Sequence, residues 1–163
     1  MTSAWPEAVE RVARVLREAR VEARVEEFRE GTPSAEDAAS AVGCDLSQIV
    51  KSLVFSCDAR WIVVMVPGDR RADRAKVAAA AACARVRVAS PDDVRRATGF
   101  EAGAVAPFPL PLVDTILIDR ALVAHDLVWV GAGSRRHMAA LAPADLVRLA
   151  RARTVDAVSE NQE

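Results

Sequence analysis

Lys51 is the residue whose position most strongly suggests chemistry. Only two of the 22 basic residues are lysines, and Lys51 interrupts the apolar run Ile49–Phe55. If that run is a strand, Lys51 shares a face with Leu53 and Phe55. An ammonium on a buried face costs several kcal/mol unless it meets an anion. The position therefore predicts a lysine that lines a pocket and binds a phosphate or a carbonyl oxygen. The alternative is that Lys51 begins the strand and extends its ammonium into water.

A second candidate is the segment Gly103-Ala104-Val105-Ala106-Pro107. A glycine allows close approach of the backbone and a proline fixes the direction in which the chain leaves. Such a loop can aim successive N–H groups at an oxyanion or another ligand. An ordinary connection between a helix and a strand is the alternative.

Further candidates lie in a glycine-containing segment and in two basic pairs. Gly131-Ala132-Gly133-Ser134 has the same conformational freedom, and His137 follows it closely enough to donate into a pocket. A histidine satisfied within the core is the alternative for His137. The pairs Arg70-Arg71 and Arg135-Arg136 could contact phosphates or could be solvated surface.

Length, composition and charge exclude several classes of protein. The chain has 163 residues, of which 52% are hydrophobic and 28% charged, a balance typical of one globular domain. A net charge of -1 excludes a bulk cationic nucleic-acid binder but permits a local basic patch. The longest apolar run, Val77–Ala84, falls far short of the ~20 residues that span a bilayer. The first residues contain neither the basic nor the apolar region of a signal peptide, so no membrane partner is expected.

The cysteines and histidines are too few and too scattered for a metal site. Cys44, Cys57 and Cys83 form no Cys-x-x-Cys pair, and the two histidines have no ligand spacing. We expect no metal and no cofactor. Three scattered cysteines are typical of reduced thiols, which predicts a cytoplasmic protein.

Hydrophobic periodicity and capping residues predict the elements that position these candidates. Helices are predicted over 6–20, 35–43, 72–83, 91–99 and 143–150, with a helical turn at 45–48. Strands are predicted over 21–28, 50–56, 61–66, 85–88, 113–118, 127–130 and 137–141. Residues 103–111 and 131–136 are predicted to be loops.

The irregular order of these elements predicts the fold class. We expect two adjacent strand pairs to be antiparallel, which favours an α+β fold over a doubly wound parallel fold. We expect a single domain with a mixed, largely antiparallel, curved β-sheet and helices packed around it. The domain is predicted over residues 1–158, followed by a frayed polar tail over 159–163.

The order of the motifs resembles one family. The segments are Val50-Lys51-Ser52-Leu53-Val54-Phe55, Val66-Pro67-Gly68-Asp69-Arg70-Arg71, Thr98-Gly99-Phe100 continuing through Gly103 to Phe108, Ile118-Asp119-Arg120-Ala121-Leu122 and Val130-Gly131-Ala132-Gly133-Ser134. Together they resemble the YbaK-like family of trans-editing aminoacyl-tRNA deacylases, which are related to the insertion domain of bacterial prolyl-tRNA synthetases. The resemblance runs from about residue 20 to residue 157.

The resemblance implies roles for particular residues. Lys51 matches the family lysine in the pocket that holds the tRNA 3′ end, and Gly103 and Pro107 match the ends of the Gly-x-x-x-Pro loop. These three are the predicted catalytic residues. Predicted substrate-binding residues are Gly99, Ala104, Val105, Ala106, Gly133, Ser134, His137, Arg70 and Arg71.

The resemblance also implies a reaction. A freestanding hydrolase would cleave the ester of mischarged aminoacyl-tRNA, with Cys- or Ala-tRNA(Pro) as substrate. The expected partners are the aminoacyl-tRNA acceptor end and prolyl-tRNA synthetase, while the oligomeric state stays open. Two other classes remain: a non-catalytic module that binds a tRNA 3′ end or a nucleotide, and a hydrolase of other small esters.

Overall fold

The computed structural model describes residues 5–160, which form six α-helices and eight β-strands. The helices are α1 (Glu7–Glu18), α2 (Ala35–Val42), α3 (Arg74–Ala81), α4 (Pro91–Thr98), α5 (Arg120–Val123) and α6 (Pro143–Ala150), with one 3-10 turn at Leu46–Gln48. The strands are β1 (Ala23–Glu27), β2 (Val50–Cys57), β3 (Arg60–Pro67), β4 (Val86–Val88), β5 (Thr115–Asp119), β6 (Val128–Ser134), β7 (His137–Leu141) and β8 (Arg153–Val155).

The strands divide into two sheets. The larger sheet has the order β4-β2-β3-β5-β8, with antiparallel pairing around the β2–β3 hairpin and parallel pairing of β5 with β3 and β8. The smaller sheet, β1-β7-β6, is antiparallel throughout. A parallel bridge between Ile49 and Trp129 brings the start of β2 beside β6. The predicted α+β class with a mixed sheet is confirmed.

Capping residues begin and end α2 and α4 where the sequence predicts. The Ser34 side chain accepts a hydrogen bond from the Asp37 N–H, and the Ser90 side chain accepts one from the Asp93 N–H. Gly43 and Gly99 end α2 and α4 in the left-handed conformation, with φ of 73° and 76°. Such caps satisfy backbone groups that the helix itself leaves unpaired.

The apolar residues of both sheets meet in one main core and two smaller clusters. The main core packs α1, α4 and α6 against the inner faces of the sheets, around fully buried residues such as Val12, Phe100, Ile118 and Leu146. A smaller cluster fixes α2 against β6 and β7 through Ala38, Trp129 and other apolar side chains. The start of β2 is therefore held between two packed layers.

Three features differ from the predicted elements. β6 continues to Ser134, and the β6–β7 register shifts between Gly131 and Ser134, so the prediction of a loop over 131–136 is wrong. The bulge lets the strand keep pairing despite its glycines. The short elements α5 and β8 were not predicted, because four and three residues are too short for a periodic pattern.

The predicted reduced state of two cysteines is also wrong. Cys57 at the end of β2 and Cys83 just after α3 form a disulfide, with a Cα–Cα distance of 5.7 Å. The fold brings together residues 26 apart in sequence, which spacing alone does not show. Cys44 is a free thiol whose pKa is raised by burial and by the Asp45 carboxylate.

The C-terminal segment is held to the body of the protein as far as Ser159. The Ser159 N–H donates to the Arg71 carbonyl, and the Arg70 guanidinium donates to the Ser159 carbonyl. Of the tail predicted over 159–163, Ser159 is thus hydrogen-bonded to the body, and residues 161–163 lie outside the described residues. None of the helices within 5–160 has the length and apolar character needed to cross a membrane.

Candidate active site

A cavity of about 360 Å³ lies where the start of β2 meets the β6–β7 hairpin and the loop after α4. Segments distant in sequence contribute its wall. The lining residues are Thr32, Pro33, Ser34, Ala35, Ala38, Ile49, Val50, Lys51, Ser52, Leu53, Gly103, Val105, Gly131, Ser134, His137 and Met138. Five of the residues predicted from sequence therefore meet here: Lys51, Gly103, Val105, Ser134 and His137.

Lys51 is the second residue of β2 and is partly buried in the cavity wall. Its Nζ donates to the Arg70 carbonyl oxygen at 2.8 Å, which fixes the direction of the side chain. An ammonium has three hydrogens, so this bond leaves donors for a ligand. The first prediction for Lys51, a lysine in a pocket wall, describes its position better than an ammonium free in water.

The surroundings of Lys51 shift its pKa. Burial lowers the pKa of Lys51 most strongly, the carboxylates of Glu36 and Asp69 act against that shift, and Arg71 adds to it. Burial disfavours the charged form, and an anion near the ammonium restores it. A ligand phosphate or carbonyl oxygen would thus meet a cation that is incompletely compensated by its neighbours.

The loop after α4 presents backbone donors. Gly103 adopts a φ of +83°, and the Ala104 N–H closes a turn onto the Glu101 carbonyl at 2.9 Å. Within residues 5–160, the N–H groups of Gly103, Val105 and Ala106 donate to no protein acceptor. Of these three residues, Gly103 and Val105 line the cavity. Unpaired N–H groups at a water-accessible wall can stabilise a developing oxyanion.

Gly131 allows the loop to lie directly on β6. A Cβ at position 131 would stand 2.8 Å from the Val105 carbonyl oxygen, which is closer than real Cβ atoms come to such a neighbour. Only glycine therefore permits this contact. The contact fixes one end of the donor-bearing loop against the sheet.

His137 begins β7 and is only 2% exposed. Its Nδ1 lies 2.6 Å from Ser134 Oγ, and its Nε2 lies 3.6 Å from Glu27 Oε2, too far for a hydrogen bond. Burial is the largest cause that lowers the pKa of His137, Glu27 acts against it, and Arg136 adds to it. The ring thus forms part of the cavity wall and is held by the β6–β7 bulge.

Other predicted residues lie outside the cavity wall. Pro107 and Ala106 are buried, and Ala106 packs into the main core. Gly99 ends α4, and its carbonyl accepts a hydrogen bond from Arg11 Nη2 at 3.0 Å. Gly133 faces α1, where a Cβ would stand 2.7 Å from the Ala8 carbonyl oxygen. These residues shape the surroundings of the site rather than its surface.

The predicted arginine pairs lie near the site in different ways. Arg70 contributes its carbonyl to Lys51, while its side chain bonds to Ser159. Arg71 is exposed and acts on Lys51 through its charge. The Arg135 guanidinium donates to the Ala102 carbonyl at 3.2 Å, beside Gly103.

Sequence reasoning missed Ser52 and the segment before α2. Ser52 Oγ is buried and has no hydrogen-bond partner among the described residues. The Ala89 N–H donates to the Val54 carbonyl, so the backbone groups of Val54 point to the β4 edge of β2. Backbone groups alternate between the two edges of a strand, so those of Ser52 point to the same edge, away from β3. Residues 32–35 and Ala38 form the opposite wall. A small polar residue beside a buried lysine was the available indication for Ser52.

The arrangement can bind an anion or polarise a carbonyl, and it can position water. It brings together one ammonium, unpaired N–H groups and a buried hydroxyl. No group of three or more histidine, cysteine or acidic residues within 5–160 is placed to hold a metal ion. Among the described residues, no cysteine lines the cavity. The histidine that lines it, His137, has its Nδ1 2.6 Å from Ser134 Oγ.

Comparisons with known proteins agree with this chemistry. Residues 29–149 match the family model of the aminoacyl-tRNA editing domain. YwhH of Bacillus subtilis (strain 168), an uncharacterized protein, is 32% identical over 123 residues, which are 75% of this chain and 78% of YwhH. Proline--tRNA ligase of Geobacillus sp. (strain WCH70) is 31% identical over 94 residues, 58% of this chain but only 17% of the ligase.

A solved structure extends the likeness to the whole described fold. The crystal structure of "a putative trans-editing enzyme for prolyl tRNA synthetase" has a TM-score of 0.88 and 31% identity, covering 96% of this chain and 99% of the other. The family match includes Lys51, the Gly103–Pro107 loop and His137 in one segment. The chain belongs to the family of aminoacyl-tRNA editing domains and is an aminoacyl-tRNA deacylase.

Proposed function

We propose that this protein removes alanine or cysteine from mischarged tRNA(Pro), acting in trans on the released aminoacyl-tRNA. One observation carries the proposal: Lys51, which bears an ammonium, lines the same cavity as Gly103 and Val105, whose N–H groups have no protein acceptor among the described residues. The likeness to a trans-editing enzyme for prolyl-tRNA synthetase and to proline--tRNA ligases supports tRNA(Pro) as the carrier.

In the proposed reaction, water attacks the ester carbonyl that joins the amino acid to the terminal ribose. The carbonyl oxygen becomes an oxyanion, which the N–H groups of Gly103 and Val105 stabilise. Collapse breaks the bond to the ribose oxygen, which leaves with a proton from the attacking water. The products are the free amino acid and the tRNA. Positioning and oxyanion stabilisation are sufficient tasks for the protein because the ester is already activated.

Lys51 holds the substrate end in this proposal. Its ammonium contacts the phosphate of the terminal adenosine or the carbonyl side of the ester, while the Arg70 carbonyl keeps the side chain in place. The ribose hydroxyl next to the ester orients the water, as the family resemblance implies. No side-chain nucleophile is required.

Exclusion by size is the proposed basis of selectivity. One methylene changes binding by only ~1–3 kcal/mol, so a clash with the larger proline ring is more reliable than attraction to the smaller acyl group. Ala35 and Ala38 bring short side chains to the cavity lining, and at Gly131 the lining has no side chain because the Val105 carbonyl lies against it.

The proposal extends to partners and location. The ligase match lies within a small part of that enzyme, and the likeness to a trans-editing enzyme supports the proposal that this chain acts in trans. It would meet the acceptor end of tRNA in the cytoplasm, with prolyl-tRNA synthetase as a further partner.

The test uses tRNA(Pro) charged separately with alanine, cysteine, serine and proline. Loss of each ester is measured against its spontaneous rate. The proposal expects faster loss of Ala- or Cys-tRNA(Pro) and no acceleration for Pro-tRNA(Pro). Binding of tRNA without release of amino acid would instead identify a non-catalytic module. Turnover of simple esters without action on tRNA would identify a general esterase.

A further inference from the structure

Three exposed arginines surround a hollow on the far side of β4 from the main core. Arg74 is the first residue of α3, Arg85 directly precedes β4, and Arg87 lies within β4. All three line one open hollow of about 590 Å³, together with small side chains. We call these three residues the β4 arginine cluster.

The arginines of the β4 arginine cluster form no ion pairs with the described acidic residues. None of its members has a carboxylate within 4.0 Å among the described residues. The neighbouring carboxylates of Asp58 and Asp73 accept hydrogen bonds from backbone N–H groups instead. A protein of net charge -1 thus brings together three arginines that form no direct ion pair among the described residues.

A second hollow extends from the active-site cavity toward β4, where the arginine cluster lies. This hollow, of about 220 Å³, shares Ser52, Leu53, Gly103 and Val105 with the cavity. Its other end is lined by Val88, which is 61% exposed and follows Arg87 directly. The path therefore runs along the edge of β2 that has no strand neighbour before Phe55.

The length of this path suits a short single strand. Lys51 and Cys57 are six residues apart on β2, about 20 Å at ~3.3 Å per residue. Cys57 pairs with Val86, which lies between Arg85 and Arg87. A nucleic acid whose ester end lies at Lys51 would have phosphates a few nucleotides away at the cluster. Exposed apolar surface between them can contact bases or ribose.

We infer that the β4 arginine cluster binds the backbone phosphates of the tRNA acceptor arm while the aminoacyl end occupies the cavity at Lys51. The inference rests on the proposed function and names the surface that recognises the rest of the substrate. Phosphate contacts of this kind fix orientation and depend strongly on salt.

The test compares long and short substrates. The double variant Arg85→Gln/Arg87→Gln is assayed with full-length Ala- and Cys-tRNA(Pro) and with the corresponding aminoacyl-adenosines, which lack the acceptor arm. We expect kcat/KM for the tRNA to fall about fivefold to tenfold at low salt, mainly through KM, with the aminoacyl-adenosine unchanged. The slope of log kcat/KM against log salt should become shallower by about 2, one for each phosphate that an arginine no longer neutralises.

A matched control removes the same charge elsewhere. Arg14→Gln/Arg17→Gln changes two exposed arginines of α1, and it should leave both substrates and the salt slope unchanged. Equal tRNA kinetics in the cluster variant, the control and the wild type would overturn the inference while leaving the deacylase proposal intact. Equal losses on tRNA and aminoacyl-adenosine would also overturn it. If the wild type released amino acid from neither substrate, the proposed function itself would fail.

Discussion

At the scale of single residues, Lys51 combines a partly buried position with a positive charge. Burial lowers its pKa, and a carbonyl takes only one of its three hydrogens. Such a residue is a poor contributor to stability because its charge is partly desolvated. Its position is therefore better suited to binding a ligand, as proposed, than to packing.

Replacing Lys51 should separate activity from stability. We expect Lys51→Met to lower kcat/KM on Ala- or Cys-tRNA(Pro) at least tenfold, because a hydrogen bond from a charged group contributes about 1.5–3 kcal/mol. The melting temperature should stay equal or rise, since methionine keeps the apolar stem without the charge. Single-turnover deacylation and thermal melts measure the two effects.

The other lysine gives the reciprocal control. Lys76 Nζ donates to the Asp156 carboxylate and to the Val158 carbonyl, and so holds the C-terminal segment. Lys76→Met should lower the melting temperature and leave kcat/KM within about twofold of wild type below it. A loss of less than fivefold in Lys51→Met would contradict the role assigned to Lys51.

His137 should make stability depend on pH. Its pKa is lowered in the folded protein, chiefly by burial, whereas an unfolded histidine titrates near about 6.5. The unfolded state then binds more protons below that pH, so stability is fully present above about 6.5 and is lost as the pH falls. We expect the wild type to lose more melting temperature between pH 7 and pH 5 than His137→Gln does. Parallel curves for the two proteins would show that another group causes the dependence.

At the scale of elements, the loop after α4 has a conformation that only glycine adopts easily. Gly103 has a φ of +83°, and an L-residue in the left-handed region costs roughly 1–2 kcal/mol. The unpaired N–H groups of the loop depend on that geometry. A substitution at this position should therefore affect both the fold and the site.

Gly43 provides a matched control for Gly103. It has a φ of +73°, and a Cβ there would meet nothing within 4 Å. We expect Gly103→Ala and Gly43→Ala each to lose about 1 kcal/mol of unfolding free energy in urea titrations. Only Gly103→Ala should lose at least tenfold in kcat/KM, because small displacements of catalytic donors cost that much. Equal activity in the two variants would remove the loop from the mechanism.

The elements most accurately predicted are those with local chemical markers. Ser34, Gly43, Ser90 and Gly99 bound their helices as expected because caps act within a few residues. The strand at Gly131–Ser134 was missed because pairing with β7 outweighs the conformational freedom of two glycines. The pairing of Cys57 with Cys83 was missed for the same kind of reason, since only the tertiary fold makes them neighbours.

The residues of the candidate site also divide into those with a local marker in the sequence and those that only the tertiary fold brings together. Lys51 was identifiable because a charge within an apolar run is locally anomalous. Residue types near a glycine made Gly103 and His137 candidates beside structural alternatives, and the family resemblance added the roles expected of them. Ser52 and the wall formed by residues 32–35 escaped detection because their side chains are ordinary and only the packing of α2 brings them to the cavity.

At the scale of the whole molecule, Asp119 ties the C-terminal segment to the central sheet. This carboxylate is 1% exposed and accepts hydrogen bonds from the N–H groups of Ala121 at 3.0 Å and Ala157 at 2.8 Å. The same segment continues to Ser159, which bonds to the loop that holds Lys51. The C-terminus is therefore connected to the site through hydrogen bonds.

Asp119→Ala should destabilise the protein more than any exposed carboxylate does. Two N–H groups lose their acceptor, and we expect a loss of about 3 kcal/mol in unfolding free energy. The exposed Asp126→Ala is the control and should stay within about 0.5 kcal/mol of wild type. Denaturant titration compares the variants, and equal midpoints would show that the C-terminal segment adds little to stability.

The contact between Gly131 and the Val105 carbonyl has a consequence for how such enzymes diversify. The surface at this contact is main chain, which has no rotamers, so amino-acid replacement can barely remodel the cavity there. Relatives that adapt to a larger or smaller aminoacyl group would accumulate their changes on α2, at Ala35 and Ala38. A library randomised at those two positions is the economical starting point for redirecting the enzyme to another amino acid.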